Sequence, residues 1–170
     1  MKDVPGLLTV EKIEQRIELT NRALRRAGYR RPRIVVAACN PHAGDGGLMG
    51  DEEARVIRPA VERARQKQIS VAGPLPADTL WLKVRDGEHD AVATLYHDQG
   101  QIAIKLLGFD RGASVLACLP VSLTTPAHGS AFDIAGRNRA NTVPARNAFT
   151  MCLNMASNRD SMTGATTGGG

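Results

Sequence analysis

The chain has 170 residues, 42% hydrophobic and 23% charged, with a net charge of +5. These values fit one globular domain with a real core, or part of a larger one. No apolar run approaches the roughly 18 residues that span a bilayer, and the first twenty residues alternate in charge where a secretory leader needs an apolar centre. The expected location is therefore cytoplasmic, without a membrane partner. Much of the positive charge lies in RALRRAGYRRPR, Arg22 to Arg33, while aromatic residues make up only 4%. That run reads as a solvated helix face rather than a nucleic-acid surface, and a basic protein suits a small anionic substrate. Cys39, Cys118 and Cys152 lack metal-like spacing. They read as small buried hydrophobes without disulfides.

In chain order, Thr9 is placed to cap a helix through about Arg26, with Ile13, Ile17, Leu24 and Ala27 on one face. Gly28 is a natural stop. Arg33 to Ala38, RIVVAA, is β-branched and apolar and predicts a buried strand. Pro41 cannot continue a central strand, so His42 falls on a loop at a strand's carboxyl end, where ligands bind in open α/β sheets. Asp51 caps a second helix through about Gln68, acidic at its start and basic at its finish, with Ile57, Ala60, Val61 and Ala64 inward. A short strand, ISVAG, follows, then GPLPADT, with Asp78 just before the helical TLWLKV. Strands are expected at Asp90–Tyr96 and Ala113–Pro120. A last helix is expected from Pro144 to Ala156, and residues 158–170 read as a flexible tail. The alternation predicts an α/β sheet with helices on its faces.

Three of the four histidines adjoin strand ends. His42 lies in NPHAGDGG, His97 in YHDQG and His128 in HGSAFDIAG, whereas His89, in the charged turn RDGEHD, reads as solvated. His42 and His97 occupy equivalent places after different strands, and two imidazoles at one sheet edge suit a divalent transition metal. Asp98 is placed as a helix N-cap. Asp78 reads as a helix cap or as an active-site carboxylate. In HGSAFDIAG, Gly129 and Ser130 allow a ligand close to the backbone and Asp133 suits a ribose diol, but the GxGxxG spacing is absent.

NPHAGDGGLMG, GPLPADTLW, YHDQGQIAIKLLGFDRG and HGSAFDIAG, in this order, closely resemble the 4-hydroxythreonine-4-phosphate dehydrogenase family, the PdxA-type enzymes of vitamin B6 synthesis. HGSAFDIAG also resembles the adenosine loop of isopropylmalate and isocitrate dehydrogenases. The resemblance implies an α/β, isocitrate/isopropylmalate dehydrogenase-like layered sheet with flanking helices. Residues 1–157 would be the C-terminal portion of that two-domain fold, with the N-terminal half missing. It further implies a homodimer with its active site near the subunit interface.

The cofactors implied are NAD or NADP and a divalent metal (zinc, with magnesium or cobalt as alternatives). Two of three histidine ligands match His42 and His97; the third belongs to a segment upstream of this chain. Nucleotide contacts fall to His128, Gly129, Ser130, Ala131, Asp133 and Asn141. Lys105 matches a lysine that binds the substrate's anionic end, and Asp98 and Asp78 either orient a metal-bound histidine or move a proton. The implied chemistry is oxidation of a secondary alcohol, then decarboxylation of the β-keto acid, with the metal as Lewis acid. Ser114 and Leu123 stand where the family has asparagine and a phosphate-holding arginine. Two alternatives follow: a relative that acts on a non-phosphorylated cis-dihydrodiol carboxylate, and a truncated, non-catalytic nucleotide-binding remnant.

Overall fold

The computed structural model describes residues 2–117 and 119–163. What the sequence suggests for Cys118 and for residues 164–170 lies outside them. The chain divides into two compact units, residues 1–25 with 29–103, and residues 26–28 with 104–170.

The first unit is built on a three-stranded parallel sheet in the order β2-β1-β3, with β1 at Ile34–Ala37, β2 at Val71–Leu75 and β3 at Ala91–Ala93. All four residues of β1 are buried, because the strand is central and covered on both faces. Side chains alternate across a strand. Ile34 and Val36 therefore pack with Ile13 and Ile17 of α2 (Val10–Arg26) and with Ala60, Val61 and Ala64 of α3 (Arg58–Gln66). Val35 and Ala37 pack on the other face against Leu80 of α4 (Leu80–Arg85), with Trp81 and Val84 beside it. A short helix, α1 (Val4–Leu7), precedes α2. Thr9 caps α2 as its sequence predicts, its Oγ1 accepting the Lys12 amide at 3.2 Å. Ion pairs join α2 to α3 and its end: Lys67 Nζ lies 2.7 Å from the buried Glu14, and Arg63 lies 3.0 Å from Glu11.

The second unit holds an antiparallel pair, β4 (Ala113–Val115) and β5 (Thr124–Pro126), packed on α6 (Val143–Thr163). Pro144, Ala148 and Met155 are buried on α6. Thr124 Oγ1 donates to the Ala148 carbonyl at 2.7 Å, and Asn147 Nδ2 donates to that of Arg111 at 3.0 Å. Helix α5 (His97–Gly108) begins in the first unit and ends in the second.

Several boundaries differ from the sequence reading. The expected helix from Asp51 opens as a π turn, Glu53–Ile57, before α3 begins. The strand expected at Asp90–Tyr96 pairs only over Ala91–Ala93, since the Leu95 amide turns away to the Gln99 side chain. The strand expected at Ala113–Pro120 stops at Val115, where the chain folds back to form the unforeseen β5. Asp98 is not a cap: α5 starts at His97, which puts Asp98 in its first turn. α6 runs past Ala156 to Thr163 and so includes residues 158–163 of the expected tail. His89 is half-buried, and its Nδ1 lacks a hydrogen-bond partner, which corrects the reading of a solvated ring. No helix among the described residues is long and apolar enough to cross a membrane.

The start of β3 is tied to β1 by one bidentate pair. Asp90 accepts from the Arg33 backbone amide at 2.8 Å, from Nε at 3.0 Å and from a terminal nitrogen at 2.8 Å. The Arg33 side chain, and then its amide, hold the Asp90 carboxyl down to about 2 from an ordinary 3.8. A carboxylate depressed in the fold stabilises it above the unfolded pKa and loses that contribution as pH falls through the folded value. Stability should therefore decline as pH falls from 3.8 toward about 2. Asp90→Asn should remove this part of the acid dependence, which urea midpoints across a pH series will measure.

Candidate functional site

The site is built where β1 ends. After Ala38 the chain turns through a tight segment, Pro41–Gly47, in which six consecutive residues have positive φ: His42 at 51°, Ala43 at 56°, Gly44 at 85°, Asp45 at 43°, Gly46 at 67° and Gly47 at 103°. This is a left-handed turn, and three of the six residues are not glycine. Each such residue costs roughly 1–2 kcal/mol, so sequences seldom string them together. Strain of this kind collects at functional sites and persists only where surrounding structure holds it.

Glu53, the first residue of the π turn, supplies that hold. Its side chain is buried. Oε1 accepts the backbone amides of Cys39 and Asn40 at 2.8 Å each, and Oε2 accepts Asn40 Nδ2 at 2.9 Å. Asn40 Nδ2 also donates to Glu52 at 2.6 Å. That bond, with backbone amides behind it, lowers the Glu52 carboxyl pKa. Hydrogen bonds to a charged group contribute about 1.5–3 kcal/mol each, which matches the strain of the turn in scale. Gly44 is required here for space as well as for its φ: a Cβ would sit 2.7 Å from Glu53 Oε2 and 2.8 Å from the Gly50 carbonyl oxygen.

The turn places His42 in a cleft of about 310 Å³ lined by Cys39, Asn40, Pro41, Ala77, Asp78, Tyr96 and Gln99. Asp78 thus joins His42, although it lies on the connection that follows β2. Burial, and then the charges of Glu52 and Glu53, push the Cys39 thiol up, away from thiolate. Gln99 fastens the neighbouring loop: its Nε2 donates to the Ala38 carbonyl at 2.6 Å and its Oε1 accepts the Leu95 amide at 2.9 Å. One buried amide therefore ties the end of β1 to the end of β3.

His97 follows Tyr96 directly. Its Nδ1 lies 2.8 Å from Asp98 Oδ1, and both side chains are more than two-thirds exposed. A carboxylate on Nδ1 selects the tautomer whose Nε2 carries the lone pair, the arrangement in which histidines bind metals. Among the described residues, no three or more His, Cys, Asp or Glu side chains are grouped to hold a metal ion. Of the two imidazoles, His42 lines the cleft and His97 does not.

The remaining candidates belong to the second unit. Lys105 is exposed on α5. His128, Gly129, Ser130, Ala131 and Asp133 form an exposed loop, with Ala131 left-handed at φ 48° ahead of a short 3-10 turn at Phe132–Ile134. His128 Nδ1 lies 2.9 Å from the Gly129 carbonyl oxygen. Asn141 is occupied structurally, as its Oδ1 accepts the first amide of α6, that of Val143, at 3.0 Å. Ser114 and Leu123 both lie on the β4–β5 hairpin, where Ser114 is opposite Thr125 and the Leu123 carbonyl accepts the Leu116 amide.

Glu53, Gln99 and Tyr96 are the site residues that sequence reasoning missed. Glu53 reads as an ordinary acidic helix start, and Gln99 as a turn residue. The only available signal was a carboxylate one turn ahead of the buried Ile57, where an exposed position would be ordinary.

Adjacent parallel strands that deliver imidazoles and carboxylates to their carboxyl edge define an α/β protein of the ligand-binding, enzyme-like class. Comparison with known proteins narrows this. The family model of the pyridoxal phosphate biosynthetic protein PdxA matches residues 1–152. The 4-hydroxythreonine-4-phosphate dehydrogenase of Geobacter metallireducens is 49% identical over 156 residues, covering 92% of this chain and 46% of the relative. The solved structure of the Klebsiella pneumoniae 4-hydroxythreonine-4-phosphate dehydrogenase superposes with a TM-score of 0.79 at 42% identity, covering 91% of this chain and 47% of that one. A terephthalate 1,2-cis-dihydrodiol dehydrogenase from Burkholderia xenovorans gives 0.66 at 27% identity, covering 91% and 49%. The chain belongs to the PdxA family. It spans about half the length of the relatives it matches.

Replacing Gln99 with Leu should leave the Ala38 carbonyl and the Leu95 amide unpaired. The expected cost is about 1–3 kcal/mol for each buried group left unsatisfied. Urea unfolding of the variant will measure it, and early hydrogen exchange at the Leu95 amide will locate it.

Proposed function

We propose that this chain carries part of the active site of an NAD(P)-linked dehydrogenase that oxidises a secondary alcohol and then decarboxylates the resulting β-keto acid. Family membership supports the class of enzyme. The observation that carries the site assignment is the cleft at the ends of β1 and β3, where His42 and Asp78 meet Tyr96, the residue before the His97–Asp98 pair. In this reading the fold is the C-terminal portion of a layered, isocitrate dehydrogenase-like two-domain protein that acts as a homodimer.

His42 and His97 would hold a divalent metal such as zinc, with a third ligand from the part of the family fold outside this chain. When bound, the metal stabilises the negative charge that develops on the substrate oxygen in both steps. The chain's own residues do the rest. Asp98 fixes the His97 tautomer. Asp78, exposed in the cleft, is placed to move a proton. Lys105 offers a cation for an anionic substrate, and the exposed His128–Asp133 loop offers backbone and carboxylate groups to a nucleotide.

The substrate follows from the hairpin. Leu123 cannot grip a phosphate as an arginine fork does, which favours a non-phosphorylated hydroxy acid or dihydrodiol carboxylate over a phosphorylated one. This second reading of specificity rests on Leu123, since the more similar relatives are named for phosphorylated substrates and the dihydrodiol dehydrogenase structure is 27% identical.

Zinc titration of the chain by calorimetry tests the metal assignment: His42→Ala and His97→Ala should each weaken binding at least about tenfold. If neither changes it, the assignment is wrong. Substrate class is tested by following NAD reduction in a protein that carries this chain at full family length. Dihydrodiol carboxylates should turn over faster than 4-hydroxythreonine 4-phosphate, and Leu123→Arg should raise kcat/KM for the phosphorylated substrate by about tenfold or more. Faster turnover of the phosphorylated substrate before any substitution would refute the preference.

A further inference from the structure

We infer that Glu53 is the positioning residue for His42: its buried carboxylate holds the left-handed turn that places the imidazole in the cleft. The inference rests on the reading of His42 as a metal ligand, but its central claim concerns the turn and is tested without metal.

Two acidic residues are buried in the described chain, Glu14 and Glu53. Glu14 has cationic partners in Lys67 and Arg63. Glu53 has no ion-pair partner among the described residues; its bonds run to the amides of Cys39 and Asn40 and to the Asn40 side chain. A buried carboxylate without a counter-cation is costly, and an apolar residue at that place in the helix would serve the core better. What the carboxylate does, and an apolar group cannot, is accept three N–H donors at the point where β1 becomes the turn. The turn then holds His42, Ala43 and Asp45 at φ between 43° and 56°, a conformation that side-chain-bearing residues leave when released.

The π turn at Glu53–Ile57 belongs to the same device. Insertions of this kind recur at functional sites. Here the turn lets Glu53 reach the end of β1 while Ile57, at its other end, stays fully buried in the core with Ala60 and Val61. Gly44 fits the device too, since any side chain there would collide with the clamping oxygen.

The test uses the full chain, wild type and Glu53→Ala, by NMR without metal and by zinc calorimetry. In the wild type, His42, Ala43 and Asp45 should show the strong intraresidue NH–Hα NOE that positive φ produces, and the Cys39 and Asn40 amides should be protected from exchange. In Glu53→Ala those NOEs should weaken and the protection should fall at least about tenfold, while the amides of Val61 and Ala64 stay unmoved; zinc affinity should drop about 10- to 100-fold. Persistence of the NOEs and protection in Glu53→Ala overturns the inference. Unchanged zinc affinity in a variant whose turn has collapsed refutes the reading of His42 as a metal ligand and leaves the role of Glu53 to the NOEs. Should Glu53→Ala fail to fold, Glu53→Asp carries the test. It keeps the charge but is too short to reach all three donors, so it should lose the same NOEs in part, and unchanged NOEs overturn the inference. If the wild type binds no zinc, the metal reading fails alone, and the NOEs still decide the role of Glu53.

Discussion

The site depends on a single buried carboxylate at the end of the central strand. Where a parallel strand ends, its backbone amides lose their ladder partners, and the chain must satisfy them or expose them to water. Glu53 satisfies those of Cys39 and Asn40 together, and its second oxygen takes the Asn40 side chain. The chain leaves β1 in a fixed direction and enters a left-handed turn that has no reason to form in an isolated peptide. Strain in the turn and charge-assisted bonding at its base are of similar size, so the two are best understood as one unit.

Gln99 performs the complementary task between strands. Its amide spans from the Ala38 carbonyl to the Leu95 amide, so the loop that carries His42 and the helix that starts at His97 share one anchor. Behind both lies the sheet, with α2 and α3 packed on one face of β1 and α4 on the other. Order passes outward: apolar burial sets the strands, two buried polar side chains set where the strands end, and those ends set the histidines. Sites supported in this way by rigid elements and buried hydrogen bonds hold their geometry better than sites on free loops.

The second unit presents a different chemistry. Its hairpin carries Ser114 opposite Thr125, with Leu123 bonded through its carbonyl to the Leu116 amide. The loop from His128 to Asp133 is open, and an exposed Phe132 stands beside Asp133. The chain covers about half the length of the relatives it matches.

Much of this was legible in the sequence. The β-branched run at Ile34–Val36, the 3.6-residue spacing of Ile13 and Ile17, and the Thr9 cap each report local preferences that the fold obeys. Pro41 correctly placed His42 beyond the strand, and the four motifs correctly identified the family. Three things were not legible: the left-handed run from His42 to Gly47, the π turn at Glu53, and the pairing of β4 with β5. The first two exist because residues 39, 40 and 53 meet in space; Gly44 and Gly46 favour positive φ locally, but His42 and Ala43 do not. The third depends on which residues the hairpin finds against α6. Periodicity and capping are properties of neighbours along the chain and can be read from it, whereas the direction of the His42 loop is decided by a hydrogen-bond acceptor that only tertiary folding brings to its base.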